Sequence, residues 1–187
     1  YQIGFQYNPE QLRRSFAQRT PPPDNSRTAA NRTQGVLAVP GPPVETVALT
    51  IVLDAADQLE DQRRAEEVTQ HGLHAPLAAL ELLLYPASAA IDRVSQQADR
   101  GRVQIAPADT PLVLLSFGTQ RVAPVLIASY AVTEELFDPD LNPIHAKVEL
   151  SLKVLTYMEF PSQSPGREAF IAHQKNMESL ARGWVGA

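Results

Sequence analysis

Hydrophobic residues fall at every second position from Ile144 to Val154, where Ala146, Val148, Leu150 and Leu152 alternate with His145, Lys147, Glu149, Ser151 and Lys153. A period of two sends alternate side chains to opposite faces, so the pattern predicts a strand with one dry face and one wet face. Upstream, Val125 to Val132 reads Val-Leu-Ile-Ala-Ser-Tyr-Ala-Val, apolar on both faces. That is the pattern of a strand covered on both sides. Between the two, Asp138-Pro139-Asp140-Leu141-Asn142-Pro143 concentrates turn formers: Pro presets φ, and Asp and Asn side chains bond to nearby backbone. The stretch Val122–Tyr157 is therefore expected to be a long hairpin. With about fourteen residues per arm it would extend roughly 45 Å, more than a small sandwich needs for its core. The surplus must be covered by something, since exposed strand edges invite pairing.

The other elements follow from the same reading. Ile3, Phe5 and Tyr7 alternate with Gly4 and Gln6, predicting a short strand that turns at Asn8-Pro9-Glu10 and pairs back with Leu12–Phe16. A polar loop runs from Gln18 to about Gln34 and contains Pro21-Pro22-Pro23. A loop this long is either mobile or ordered by a partner. Asn31-Arg32-Thr33 fits the glycosylation tripeptide, but no secretion signal accompanies it and the match is read as chance. Pro40-Gly41-Pro42-Pro43 blocks a helix, and Val44 to Leu53 then reads as a strand with Val47, Leu49, Ile51 and Leu53 on one face. Asp54 to Glu67 is expected to be a solvated acidic loop. A helix should open at Ala75-Pro76, carry Leu77, Leu80, Leu83 and Leu84 on its apolar side, and end near Tyr85 before Pro86. Pro86 to Arg102 reads as loop or frayed helix. Leu112–Gly118 is a buried-strand pattern, with Arg121 at the corner before the hairpin, facing water. A last helix is expected from Pro165 to Arg182, capped by Ser164 with Glu168 in its first turn. Its stripe of Phe170, Met177, Leu180, Ala181 and Trp184 would pack on its own domain or on a neighbouring subunit.

Composition bounds this picture. The chain of 187 residues, 44% apolar and 20% charged, suits one domain or one domain with an appendage. The expected division is a β domain over residues 1–160 and a helical extension over 161–187. The expected fold class is mainly β, sandwich- or barrel-like, with a short flanking helix and a C-terminal helix. The longest apolar runs, Leu112–Leu115 and Val122–Ser129, fall far short of a membrane span, and no charged-then-apolar leader opens the chain. The absence of Cys excludes disulfides, thiolate metal sites and Cys catalysis. A net charge of −5 argues against nucleic acid as a partner. Charge is unevenly spread: Arg13, Arg14, Arg19, Arg27 and Arg32 stand against Glu10 and Asp24, whereas Asp54, Asp57, Glu60, Asp61, Glu66 and Glu67 stand against Arg63 and Arg64. These are solvated loops of opposite sign or patches for head-to-tail self-association.

Candidate chemistry is sparse. There is no nucleophile elbow, no phosphate-cradling Gly-Lys-Ser/Thr loop and no dinucleotide fingerprint. His71 and His74 are three apart, but Gly72 lies between them and no carboxylate stands at a matching position for zinc. Asp54 and Asp57 lack the alternate oxygens and the Gly of a calcium loop. His145 and His173 lie in a strand and a helix of structural pattern, and Glu134 and Glu135 point to opposite faces. No catalytic, cofactor-binding or metal residue is assigned, and an enzyme is not expected.

Four stretches resemble a known family: Phe5-Gln6-Tyr7-Asn8-Pro9-Glu10, Gly41-Pro42-Pro43-Val44-Glu45-Thr46, the strand ending Phe117-Gly118, and Val132 to Val148 with its Phe137-Asp138-Pro139, Asn142-Pro143 and Ala146-Lys147-Val148 segments. Together, over residues 1–157, they resemble the tube-like domain of contractile injection systems, the phage-tail-like particles of bacteria. Within that family the resemblance is to the baseplate adaptor. It implies a β-barrel-like fold assembled as a homo-hexameric ring that joins the inner tube to the baseplate, with the inner tube protein and baseplate proteins as partners. A tube-terminating or cap adaptor of the same particle is the alternative. It further implies assembly in the bacterial cytoplasm into a particle that is released. The subunit contacts would fall on Tyr7, Asn8 and Pro9, on Phe137, Asp138, Pro139, Asn142 and Pro143, and on Phe170, Met177 and Trp184. The residues after 157 do not resemble the LysM module that members often carry, so no peptidoglycan contact is implied. The alternative of another class is a carbohydrate- or ligand-binding β-sandwich, although aromatics are only 6% of residues and mostly lie in strand or helix patterns.

Overall fold

The structure, a computed structural model, describes residues 2–19, 40–59, 65–99 and 110–186. The strands are β1 (Leu12–Ala17), β2 (Val44–Asp54), β3 (Val113–Ser116), β4 (Val122–Phe137) and β5 (Pro143–Val154). They form one antiparallel sheet in the order β1-β2-β5-β4-β3. The helices are α1 (Ala55–Leu59), α2 (Ala65–His71), α3 (His74–Glu81), α4 (Ser88–Asp99) and α5 (Pro165–Val185). The chain is mainly β with flanking helices, the class the sequence pattern implies. Its residues group into two compact units: Tyr1–Leu12, Ala48–Val113 and Ile127–Ser151 in the first, Arg13–Val47, Leu114–Leu126 and Leu152–Ala187 in the second.

The two central strands follow the period-two pattern closely. Val47, Leu49, Ile51 and Leu53 of β2 are buried, as are Ala146, Val148, Leu150, Leu152 and Val154 of β5. Each fully buried apolar side chain contributes about 1.5–3 kcal/mol, so these two rows are the main hydrophobic support of the sheet. In the first unit Val68, Leu73, Leu77 and Leu80 from α2, α3 and the link between them are also buried. In the second, Leu115, Ala123, Val125 and Phe170 join the core.

Several expectations are corrected. Ile3 to Tyr7 is not a strand. The Gln6 side chain donates from Nε2 to the Asp54 carbonyl (2.8 Å) and accepts at Oε1 from the Asp54 N–H (3.0 Å) and Gln58 Nε2 (3.1 Å). A side chain thus takes the place of a backbone ladder, and β1 pairs with β2 instead. The acidic segment after β2 is not a loop where it is described. Asp54 Oδ1 accepts from the Ala56 N–H at 2.8 Å and starts α1, with Asp57 in the first turn, where a carboxylate favours the helix dipole. The stretch after Pro86, read as loop or frayed helix, takes the helical alternative and forms α4 over twelve residues. The α3 helix ends at Glu81 and continues only as turns toward Tyr85. The loop expected over Gln18–Gln34 lies, apart from Gln18 and Arg19, outside the described residues.

The largest correction concerns β4. Ala123, Pro124 and Val125 are buried, but no residue from Leu126 to Phe137 is, so the strand is not covered on both faces. With four residues against the sixteen of β4, β3 leaves most of β4 without an outer neighbour among the described residues.

Replacing Val148, which is fully buried, tests the dry face. Val148→Asp is expected to prevent folding, because an unpaired buried carboxylate is strongly unfavourable. Val148→Ala should lower stability by about 2 kcal/mol, both read from thermal and urea unfolding followed by circular dichroism.

Candidate interaction surface

The β4–β5 hairpin ends in a turn organised by one side chain. Asp138 Oδ1 accepts from the backbone N–H groups of Asp140 (2.9 Å) and Asn142 (2.8 Å), and Oδ2 accepts from Asn142 Nδ2 (2.8 Å). The backbone adds Asp138 N–H to Asn142 O and Leu141 N–H to Asp138 O, each 3.0 Å. These bonds favour the ionised carboxyl: the Asn142 side chain, then its backbone, hold Asp138 below the usual carboxylate range.

The turn is tied to the helices of its own unit. Leu73 N–H donates to the Pro143 carbonyl at 2.8 Å, and Asn142 Nδ2 donates to the Gln70 carbonyl at 3.4 Å. Gly72 makes the approach possible. It sits at φ +52°, and a Cβ there would come within 2.5 Å of Pro143 O and 2.9 Å of Asn142 Cβ. The glycine between His71 and His74 thus serves a close backbone approach.

What this tied turn displays is apolar. Leu136, Phe137 and Leu141 are 68%, 50% and 75% exposed. Leu136 and Leu141 also hold positive φ, 56° and 66°, a conformation that disfavours L-residues by about 1–2 kcal/mol each. The tip thus combines exposed apolar side chains with strained backbone. Behind the tip, Lys147 Nζ lies 3.1 Å and 3.2 Å from the two Glu135 oxygens, and His145 Nδ1 lies 3.2 Å from Glu135 Oε2. Lys147, chiefly, keeps Glu135 ionised below its usual range. Glu134 is exposed, so the structure separates the two carboxylates as their alternation implies. Burial pushes the Tyr130 hydroxyl up to about 12, with Glu81 and Glu134 adding to it, and this hydroxyl has no hydrogen-bond partner among the described residues.

The Asn-Pro turn of the first unit borders a second surface. Tyr7, Asn8 and Pro9 share a cleft of about 690 Å³ with Thr50, Val52 and Lys147. The Tyr7 hydroxyl donates to Asp57 Oδ2, which raises it to about 12.

In the second unit, α5 carries the remaining candidates. Ser164 Oγ accepts from the Arg167 N–H at 3.3 Å and Pro165 occupies the first turn, as the sequence implies. Gly166 is buried, and a Cβ there would lie 2.3 Å from the Phe160 ring. Arg167 donates to the Tyr157 carbonyl (3.0 Å) and lies 5.4 Å over the Tyr157 ring, which in turn tilts against Phe170 at 6.0 Å. These contacts fix the base of the helix. Asn176 Nδ2 donates to the Gln120 carbonyl at 2.6 Å, next to the half-buried Arg121. The apolar stripe is buried at Phe170 and exposed from Met177 onward through Leu180 and Trp184.

Beside α5 opens a cleft of about 490 Å³ walled by Phe16, Pro43, Tyr157, Phe170, Met177 and others, with Glu45 and His173 among its polar residues. Arg14 Nε is 2.5 Å from Glu45 Oε1. His173 is 5% exposed, and its Nδ1 has no hydrogen-bond partner among the described residues. Burial lowers its pKa, opposed by Glu45 and assisted by Arg14 and Arg121. Nearby, Glu159 is brought down to about 2: burial works against its charge, but bonds from Thr156 and from Arg19, 2.5 Å away, outweigh it.

The candidate residues fall on the Asn-Pro turn and the hairpin tip in the first unit and on α5 in the second. Sequence reading passes over Leu136, Leu141, Gly72 and the Arg14–Glu45–His173 group. Apolar residues flanking a turn of polar formers are the signal that points to the first two. Among the described residues no cluster of three His, Asp or Glu side chains is placed to hold a metal, and no helix is long and apolar enough to cross a membrane. The chain matches no protein-family model and no curated protein.

Gly72→Ala should destabilise the protein by at least about 2 kcal/mol, combining positive φ with the clash at Pro143. The Leu73 amide, bonded to Pro143 O, should exchange with solvent faster than in the parent chain. A second test uses pH. His173 binds a proton less readily folded than unfolded, so its contribution must reduce stability as pH falls through about 6.5 toward the lower folded value. Urea midpoints measured between pH 7.5 and 5 should decline, and His173→Gln should flatten that decline.

Proposed function

We propose that this protein is a structural component of a contractile injection system, a ring that joins the inner tube to the baseplate. It acts by packing against copies of itself and against tube and baseplate proteins. The observation that carries this reading is the braced apolar hairpin tip. Leu136, Phe137 and Leu141 are held out on a turn fixed by Asp138, Gly72 and Leu73. Surface of this kind, with part of its edge unpaired among the described residues, gains when a neighbour covers it. The segment that carries the family resemblance, Phe137-Asp138-Pro139 through Pro143, is the same segment that forms the tip. Contacts that run head to tail and close on themselves generate rings, and the mainly β fold with one long hairpin suits that use.

The test separates assembly from folding. Phe137→Asp combined with Leu141→Asp changes only exposed positions, so thermal stability should stay within about 0.5–1 kcal/mol of the parent. Ring formation, read by native mass spectrometry and electron microscopy, should be lost. Rings that persist with both aspartates in place contradict the proposal. Particles lacking the protein decide its tier: missing baseplates mean the adaptor, truncated tubes a tube-end or cap role.

A further inference from the structure

A pocket in the first unit has no part in the hairpin tip. It opens between the Gln2–Gln6 segment, β2 and the helices α1, α2 and α3, and holds about 240 Å³. Its floor is made of Ile51, Leu53, Val68 and Leu80, all buried. Ile3, Phe5, Pro76 and Ala79 continue the apolar wall. Interiors leave few voids larger than a water molecule, and a void between apolar walls lowers stability while it is empty. Water is a poor filling, because it needs about two to four polar partners and this floor offers none.

The polar side chains of the wall are three glutamines, Gln2, Gln6 and Gln58. Two of them are fixed in orientation. The Asp54 N–H donates to Gln6 Oε1 and the Asp54 carbonyl accepts from Gln6 Nε2, so the Gln6 amide fits only one way round. Gln58, 6% exposed, must then turn its Nε2 toward Gln6 Oε1, at 3.1 Å. An amide nitrogen carries two hydrogens, and these bonds use one on each residue. What the two amides still offer is N–H. Among the described residues no ionisable side chain lines the pocket, so a charged ligand would find nothing there to offset the hydration it loses.

We propose that this pocket binds a small uncharged molecule with an apolar body and one carbonyl oxygen, the oxygen accepting from the spare amide N–H groups of Gln58 and Gln6. An engineered apolar cavity of about 150 Å³ holds benzene, so the volume here suits a ligand of roughly nine or ten non-hydrogen atoms. The proposal stands apart from the ring, since no residue of the wall belongs to the hairpin.

Three probes of equal size test it on the full chain: acetophenone, with a carbonyl; cumene, of similar shape with no polar atom; and benzoate, with a charge. Binding is detected by saturation-transfer NMR, and dissociation constants come from the side-chain amide signals of Gln6 and Gln58 during titration. Acetophenone should bind at millimolar concentration or below, and benzoate should not bind. Cumene should bind about five- to tenfold more weakly than acetophenone, the loss of roughly one hydrogen bond. Ala79→Leu fills the pocket and should abolish acetophenone binding while circular dichroism stays that of the parent. Gln58→Met keeps the length of the side chain without its amide, and Gln6 Oε1 retains the Asp54 N–H. In that variant acetophenone should bind no more tightly than cumene. Acetophenone that fails to bind the parent chain at millimolar concentration, benzoate that binds as tightly as acetophenone, or acetophenone binding undiminished in Ala79→Leu overturns the proposal.

Discussion

The approach of Gly72 to the Pro143 carbonyl is the constraint on which the use of the hairpin depends. The turn itself gains little from hydrophobic burial, since Leu136, Phe137 and Leu141 are exposed. Here the missing Cβ lets the α2–α3 link reach the turn, where Leu73 N–H closes a 2.8 Å bond to Pro143 O. The tip is thereby ordered before it meets anything. The strain at Leu136 and Leu141 is therefore held by the fold itself, and groups ordered in advance lose less conformational entropy on binding.

How much of this was legible depends on what decides each element. Burial decides β2 and β5, and the alternation of Val47 to Leu53 and of Ala146 to Val154 is readable residue by residue. The α5 helix is equally plain, because Ser164 and Pro165 announce its start chemically. Where a side chain replaces a ladder, as Gln6 does at Asp54, an alternating pattern gives the wrong element. Asp54 and Asp57 begin α1 with a cap and a first-turn acid, a signal that was present but hidden in a run of acidic residues. The failure at β4 is of another kind. The apolar composition of Val125 to Val132 reads as a strand covered on both faces, yet past Val125 none of these residues is buried.

The candidate site was legible in part for the same reason. Phe137, Asp138 and Asn142 are recognisable as turn chemistry, while Leu136 and Leu141 declare themselves only through φ angles and exposure. His173 offers no sequence cue at all. Its Nδ1 is buried without a hydrogen-bond partner among the described residues, while Glu45 beside it pairs with Arg14. The hairpin tip and the His173 cleft belong to different units of the chain, so the two surfaces are separable by mutation.

A single carboxylate also sets the shape of the whole tip. Asp138 accepts three hydrogen bonds, two from main-chain amides and one from Asn142. One proton landing there would weaken all three together. Because these bonds hold Asp138 below the usual carboxylate range, the turn keeps its form through mild acid and loosens gradually as that one carboxyl titrates.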